Sequence, residues 1–513
     1  MGKNRPRHPA LYQINTRARL YELGAALGRP ATLADLPDAE LDRIAADGFD
    51  WIWLLGVWQT GEAGRQVSRR EPSWQREYHE LLPDVTDADI CGSPFAVHQY
   101  VVSRDLGGAG ELARLRERLA GRGVGLILDF VPNHTALDHP WVRTHPEFYV
   151  QGTGEDAARE PGNYTRVETP DGPRVLAHGR DPYFPGWPDT LQLNYRHPGL
   201  RAAMLDTLQR IAEQCDGVRC DMAMLVLPDI VQRTWGERAL PADGSAPLDA
   251  SFWSEAIAAV RARHPEFVFV AEAYWDLEWR LQQEGFDYTY DKRLYDRLRE
   301  QDAEGVRGHL GAAAEYQRRS MRFLENHDEP RAASAFPPAV HPAAAVLGLL
   351  LPGLRLVHDG QTTGRRLRTS NHLRRRAPEP VDRELEAFYR RLLACMQRPE
   401  VRDGQWELLP AGAAWEGNAT CRQFVAYRWQ SLDGQLVVAV NYGPHRGQCY
   451  VALPGLPAGE SLRLGDLLRP QVTYQRSREE LARRGLYLDV PAWRAHVFQV
   501  TVDEPETPSG RAA

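Results

Sequence analysis

Residues 217–225 read GVRCDMAML. Val218, Cys220 and Met222 alternate as they would in a buried strand, yet Arg219 and Asp221 stand between them, two apart and so on one face. A buried charge is costly unless it is paired or put to use. Similar acids end other apolar runs. FVFVAEAYW (267–275) stays apolar until Glu272, VGLILDFV (124–131) carries Asp129 and is followed by Asn133 and His134, and MRFLENHD (321–328) ends in Glu325, Asn326, His327 and Asp328. A single acid after a strand is more often a cap or loop anchor than a catalyst. Acids ending several strands at one rim argue for chemistry. Two carboxylates, a third acid and two histidines suit glycoside hydrolysis. One acid attacks the anomeric carbon, another protonates the leaving oxygen, and the rest hold the ring and its charged transition state. Arg219 is expected to lower the pKa of Asp221 and keep it ionised, and the apolar surroundings of Glu272 to raise its pKa and keep it protonated. The rival is a metal-dependent hydrolase gathered from His134, Asp221, Glu272 and His327. Metal-binding barrels of the amidohydrolase type carry an HxH pair on the first strand, whereas here that strand reads LYQINTRARL.

The elements that must position these residues alternate. Strands are expected at 10–20, 49–58, 124–131, 217–224, 267–275, 286–291, 321–328 and 354–361. Helices with a 3.6-residue period are expected at 110–123, 199–215, 251–264 and 381–396. This alternation predicts an α/β fold, a (β/α)8 TIM barrel over residues 8–398, with the acids at the C-terminal ends of its strands. A doubly wound open sheet is the alternative, but no GxGxxG turn follows the first strand. Two connections are long: 59–106, and 132–198, which is rich in Pro, Gly and aromatics. Short alternating strands after residue 399 predict a C-terminal antiparallel β-sandwich over 399–502, and 503–513 reads as a disordered tail.

Composition narrows the class. The 513 residues are 43% hydrophobic, enough for a large core, and the net charge of −7 argues against a nucleic-acid binder. Fourteen Trp suit either a carbohydrate site or ordinary core filling. No apolar signal segment and no membrane-length run is visible, and six scattered cysteines without CxxC spacing suit reduced thiols. The expected setting is cytoplasmic.

The order DFVPNH, GVRCD, VAEAYW and ENHDEP on strands three, four, five and seven resembles the α-amylase family, glycoside hydrolase family thirteen. The resemblance runs over about residues 8–502 and includes the excursion after strand three (132–198), which matches that family's domain B, and the C-terminal sandwich. It implies a retaining α-glycosidase acting on α-glucosidic bonds of oligosaccharides or α-glucans by double displacement. In this match Asp221 is the nucleophile, Glu272 the general acid/base and Asp328 the third carboxylate. Arg219, His134, His327 and Asp129 match residues around the sugar at the bond to be cleaved. Asn133 matches an asparagine that binds calcium in calcium-dependent members, so a structural calcium stays open, although the chemistry itself requires no cofactor. In SPFAVHQYVV (93–102), Phe95 is either an aromatic platform for sugar or core packing. The retaining mechanism requires the carboxyl groups of Asp221 and Glu272 about 5–5.5 Å apart. A transglycosylase or glycosyl-phosphate-using transferase shares every catalytic residue and is the close alternative. A non-catalytic binding relative is disfavoured because all three carboxylates are present.

The chain departs from the family pattern in places. Met224 and Leu225 stand where starch-degrading members often have Lys and His, which removes polar contacts on the acceptor side. No Asp-rich calcium loop follows strand one, the excursion is short, and the N-terminal β-domain of branching and debranching members is not expected, since the sequence opens almost at strand one. Finally, GRRLRTSNHLRRR (364–376) carries Arg365, Arg366, Arg368, Arg374, Arg375 and Arg376 after strand eight. Loops there often bind phosphate, but a solvated loop or one paired with the chain's own acids is the favoured reading.

Overall fold

The computed structural model describes residues 5–503. The part of the expected tail beyond residue 503 lies outside them. Eight parallel strands close into a barrel: β1 (Ala10–Asn15), β2 (Trp51–Leu55), β3 (Gly125–Phe130), β4 (Gly217–Cys220), β5 (Val268–Ala271), β6 (Tyr288–Tyr290), β7 (Ser320–Arg322) and β8 (Leu354–His358). Each pairs with its neighbours in sequence, and β8 pairs with β1 to close the ring, Ala10 opposite Arg355 and Gln13 opposite His358. The barrel strands are buried along almost their whole length, as strands covered on both faces must be.

Each of the eight strands lies where the sequence predicts one, but all are shorter. The first ends at Asn15, whose side chain accepts from Ala18 N (3.1 Å) and caps the helix Thr16–Leu27. TRARL, read above as strand, is therefore the first turn and more of that helix. Strands four and five stop at Cys220 and Ala271, so Asp221 and Glu272 are the first residues beyond them. Strand seven stops at Arg322, and Leu324–Asp328 form the loop above it. The apolar runs continue past the hydrogen-bonded ladder because the loops over the barrel mouth are themselves buried. The helices Gly108–Gly121, Pro198–Ala212, Phe252–Arg263 and Arg383–Met396 lie within a few residues of the expected spans.

The connection after β2 carries the helices Glu62–Arg70 and Pro72–Leu81 and an antiparallel pair, Trp58–Thr60 with Val97–Val102. The connection after β3 carries a short pair, His134–Ala136 with Thr190–Gln192, and a hairpin, Tyr164–Thr169 with Gly172–Ala177. Beyond the barrel stand a six-stranded and a three-stranded antiparallel sheet. They enclose a separate core that includes Leu409, Phe424, Val437, Leu462, Leu488 and Phe498. This unit is joined to the barrel by Trp429 Nε1, which donates to Leu350 O (2.8 Å), and by Tyr442 OH, which donates to Leu298 O (2.6 Å).

Candidate active site

The strand ends deliver their side chains to a cleft of about 300 Å³ at the C-terminal mouth of the barrel. Asp221, Glu272 and Asp328 all line it, together with Phe95, His134 and Met222. Its outer walls are Trp74, Trp187, Tyr274, Asp189 and His372.

Arg219 organises the floor and is fully buried. Its Nη1 donates to Asp221 Oδ1 (2.6 Å), its Nη2 to Glu272 Oε2 (2.7 Å) and its Nε to Tyr290 OH (3.1 Å). Strand pairing of Val218 with Phe269 and Arg219 with Val270 sets this register. One guanidinium thus holds two carboxylates on adjacent nitrogens, a fork that suits planar oxygen acceptors. Glu272 also receives the backbone N–H of Met222 (2.7 Å, on Oε2) and the hydroxyl of Tyr274 (2.9 Å, on Oε1). Met222 N–H points there because Met222 adopts the left-handed conformation (φ 43°), an uncommon one for a residue with a side chain.

Burial pushes the Glu272 carboxyl up to about 7 against the pull of Arg219, with the charges of Asp221 and Asp328 adding to the rise. Asp221 behaves differently from expectation. Arg219 does lower its pKa, but burial outweighs the arginine, and the net direction is upward. For Asp328, desolvation opposes ionisation, yet His327, with Arg219 and Asn371, holds its carboxyl below the usual carboxylate range. His327 Nε2 lies 2.9 Å from Asp328 Oδ2, and Asn371 Nδ2 donates to Asp328 Oδ1 (3.1 Å). Gln13 Nε2 lies 2.8 Å from His327 Nδ1 and fixes the ring on its other side.

The other predicted residues divide. His134 lines the cleft against Trp187 (5.1 Å between ring centroids), and burial lowers its pKa to about 3, so it is neutral. Phe95 lines the cleft and packs on His327 (5.3 Å) and against the Arg219 guanidinium (5.1 Å). Asp129, in contrast, does not line the cleft. It accepts from Trp53 Nε1 (3.2 Å) and from the N–H of Gly56 (3.2 Å) and faces Arg219 at 3.7 Å. Gly56 turns that N–H inward at φ 80°, where an added Cβ would also meet Pro94 at 2.9 Å. Asp129 and Arg219 therefore act on the cleft from behind. Glu325 and Asn326 are loop anchors: Glu325 pairs with Arg331 (3.0 Å), and Asn326 Oδ1 accepts from the N–H groups of Asp328 and Glu329.

Met224 and Leu225 are buried in the core and do not reach the cleft; Met222 is the member of that stretch that does. Tyr274, Tyr290 and Gln13 were missed as site residues. Tyr274 stands two residues after Glu272, on the same side of an extended segment, and was open to that argument. Trp74, on the helix Pro72–Leu81, and Asp189 and His372, from loops, carry no pattern that places them.

Asn133 does not fit a calcium. Gln192 Nε2 donates to Asn133 O (3.0 Å), Asn133 Oδ1 (2.9 Å) and Leu193 O (3.0 Å). Three oxygens that would face a cation instead converge on an amide nitrogen bearing hydrogens. No group of three or more His, Cys, Asp or Glu suited to a metal ion is present among the described residues.

The family model for the alpha amylase catalytic domain matches residues 95–387. The chain belongs to the alpha-amylase family. Among curated relatives, the alpha-amylase MalA of Haloarcula japonica is 27% identical over 427 residues, 82% of this chain and 53% of the relative. An alpha-1,4-glucan:maltose-1-phosphate maltosyltransferase of Rhodospirillum rubrum is 26% identical over 276 residues, 52% of this chain and 31% of the relative. The chain thus spans about half, or less, of the length of these relatives. The structure of the maltogenic alpha-amylase AmyB from Thermotoga neapolitana superposes with a TM-score of 0.68 at 18% identity, covering 97% of this chain and 99% of that one. At that identity the likeness concerns the fold. Among the described residues, no helix is long and apolar enough to cross a membrane.

Proposed function

We propose that this member of the family is a retaining α-glycoside hydrolase that cleaves α-glucosidic bonds of oligosaccharides or α-glucans. The observation that carries this reading is the shared grip of Arg219 on Asp221 and Glu272 at the base of an aromatic-walled cleft. Acceptors on adjacent nitrogens of one guanidinium support the short carboxyl separation of about 5–5.5 Å over the wider inverting one. In the first step Asp221 attacks the anomeric carbon while Glu272, kept protonated by burial, gives its proton to the leaving oxygen. In the second, Glu272 removes a proton from water, which displaces Asp221 from the glycosyl carbon. Asp328, at the exposed edge of the cleft beside His327 and Asn371, holds ring hydroxyls, and neutral His134 adds a hydrogen-bonding group near the same sugar. A glycan partner also suits the net charge of −7, and six unpaired cysteines suit a reducing cytoplasm.

Proton NMR of a maltooligosaccharide digest tests the mechanism. The α-anomer is expected to form first, and initial release of the β-anomer would sink the retaining reading. A second reading, transfer to an acceptor other than water, is favoured by the maltosyltransferase names among the relatives. It predicts maltose 1-phosphate or longer oligosaccharides when maltotetraose is supplied with and without inorganic phosphate.

A further inference from the structure

A second cavity, of about 530 Å³, lies beside the cleft and takes no part in the reaction above. The two share a wall. The bridge between Ile90 and Leu373 joins the two loops that form it. From these two loops His372 and Ser93 line the cleft, while Arg374 and Cys91 line the second cavity.

The charges in this cavity are unbalanced. In the Arg-rich loop, Arg365, Arg368, Arg375 and Arg376 all hold carboxylates, as the favoured reading of that loop requires. Arg374 holds none among the described residues. It is exposed, its guanidinium lies 5.6 Å from the Tyr21 ring, and both line the cavity. Among the described residues Arg17 donates to uncharged groups alone, Gly92 O (2.7 Å), Cys91 Sγ (3.3 Å) and Thr60 Oγ1 (3.3 Å). Arg65 pairs with Glu62 at 3.5 Å, but its Nε is buried without a hydrogen-bond partner among the described residues. Arg29 is neutralised by Asp35. One carboxylate, Asp105, lines the cavity among the described residues.

Arg17 and Arg374 thus bring two guanidinium groups with no carboxylate partner among the described residues against the single lining carboxylate, and an oxyanion offsets that excess of positive charge while matching the planar donor fork. An inorganic phosphate alone would leave most of the space empty. Leu20, Leu106 and the Tyr21 ring offer apolar surface for a sugar ring, and Gln59, Ser103 and Asp105 offer partners for hydroxyl groups. We infer that this cavity is a binding site for a phosphorylated sugar, distinct from the catalytic cleft. The inference does not depend on the proposed reaction, since binding is read directly.

The test is calorimetric titration of the full chain carrying Asp221→Asn, its cleft saturated with maltotetraose, against glucose 1-phosphate, inorganic phosphate and glucose. One glucose 1-phosphate is expected to bind per chain, more tightly than inorganic phosphate, with no binding of glucose at the same concentration. Adding Arg374→Gln should weaken it by about tenfold, and Arg65→Gln with Arg374→Gln by more, at unchanged melting temperature. Arg374 is exposed, so the single variant keeps the test valid if the double variant fails to fold. Absence of binding at millimolar ligand, binding undiminished by Arg374→Gln, or equal affinity for inorganic phosphate would each overturn the assignment.

Discussion

Glu272 carries the pH behaviour of the site. It must be protonated for the first step, and its pKa of about 7 places the loss of that proton near neutrality. The rate constant kcat/KM is therefore expected to fall as pH rises through about 7, and a profile flat to pH 9 would contradict the assignment. Tyr274 donates to the ionised form of Glu272 and so holds its pKa down. Tyr274→Phe should move the alkaline limb to higher pH, a direction that a merely structural loss would not produce. Asp189 makes a separate prediction. It is buried, its Oδ2 has no partner among the described residues, and burial raises its carboxyl to about 7. The folded state therefore holds a proton that the unfolded chain loses near pH 4, and stability falls as pH rises between those values. Asp189→Asn should raise stability at pH 8 by up to ~4 kcal/mol and flatten that slope, as read from denaturation at several pH values. At this scale the cleft acids Asp221, Glu272 and Asp328 were legible because each closes a segment that begins as an apolar run. Asp189 was not, because nothing in its surroundings in the sequence announces that the fold buries it unpaired.

The loops decide what the cleft accepts, and they owe their shape to hydrogen bonds within the chain. Gln192 fastens the start of the excursion at Asn133 to its returning strand, with His134 in between. Treatment with a chelator such as EDTA should leave both activity and melting temperature unchanged. Gln192→Ala should cost about 1–3 kcal/mol, because it strands the buried oxygens of Asn133 and Leu193. A loss of activity in EDTA that added calcium restores would refute this account. Elements with strong periodicity or long apolar runs were readable from the sequence, as the helix Arg383–Met396 and the strand Gly125–Phe130 show. Their ends were less so: LYQINTRARL passes from strand to helix at a single capping residue, Asn15, without any change in its alternation. In the C-terminal unit the edge strand Thr473–Ser477 and its neighbour Ser461–Asp466 are the hardest to read, because their exposed positions dilute the apolar signal.

Across the whole molecule, the C-terminal sheets and the barrel share buried surface. Trp429 is fully buried and spans the junction to Leu350. Trp429→Ala should cost about 3–5 kcal/mol and destabilise both units together, visible as one shifted denaturation transition rather than two. A first transition confined to the sheets would show that the junction contributes little. The ring closure between β1 and β8 also bears on how the protein is made. Gln13 leaves the ribosome long before His327, the side chain it orients, and β1 cannot acquire its second neighbour until residues 354–358 have followed. Local helices can form early, but the contact that completes the barrel is among the most distant in the chain, so closure is expected to be a late and slow event of synthesis. Until then the sheet is open at β1 and β7, while the strands that carry Asp221 and Glu272 already stand in its interior, so the two carboxylates exist before the ring that fixes the cleft around them has closed.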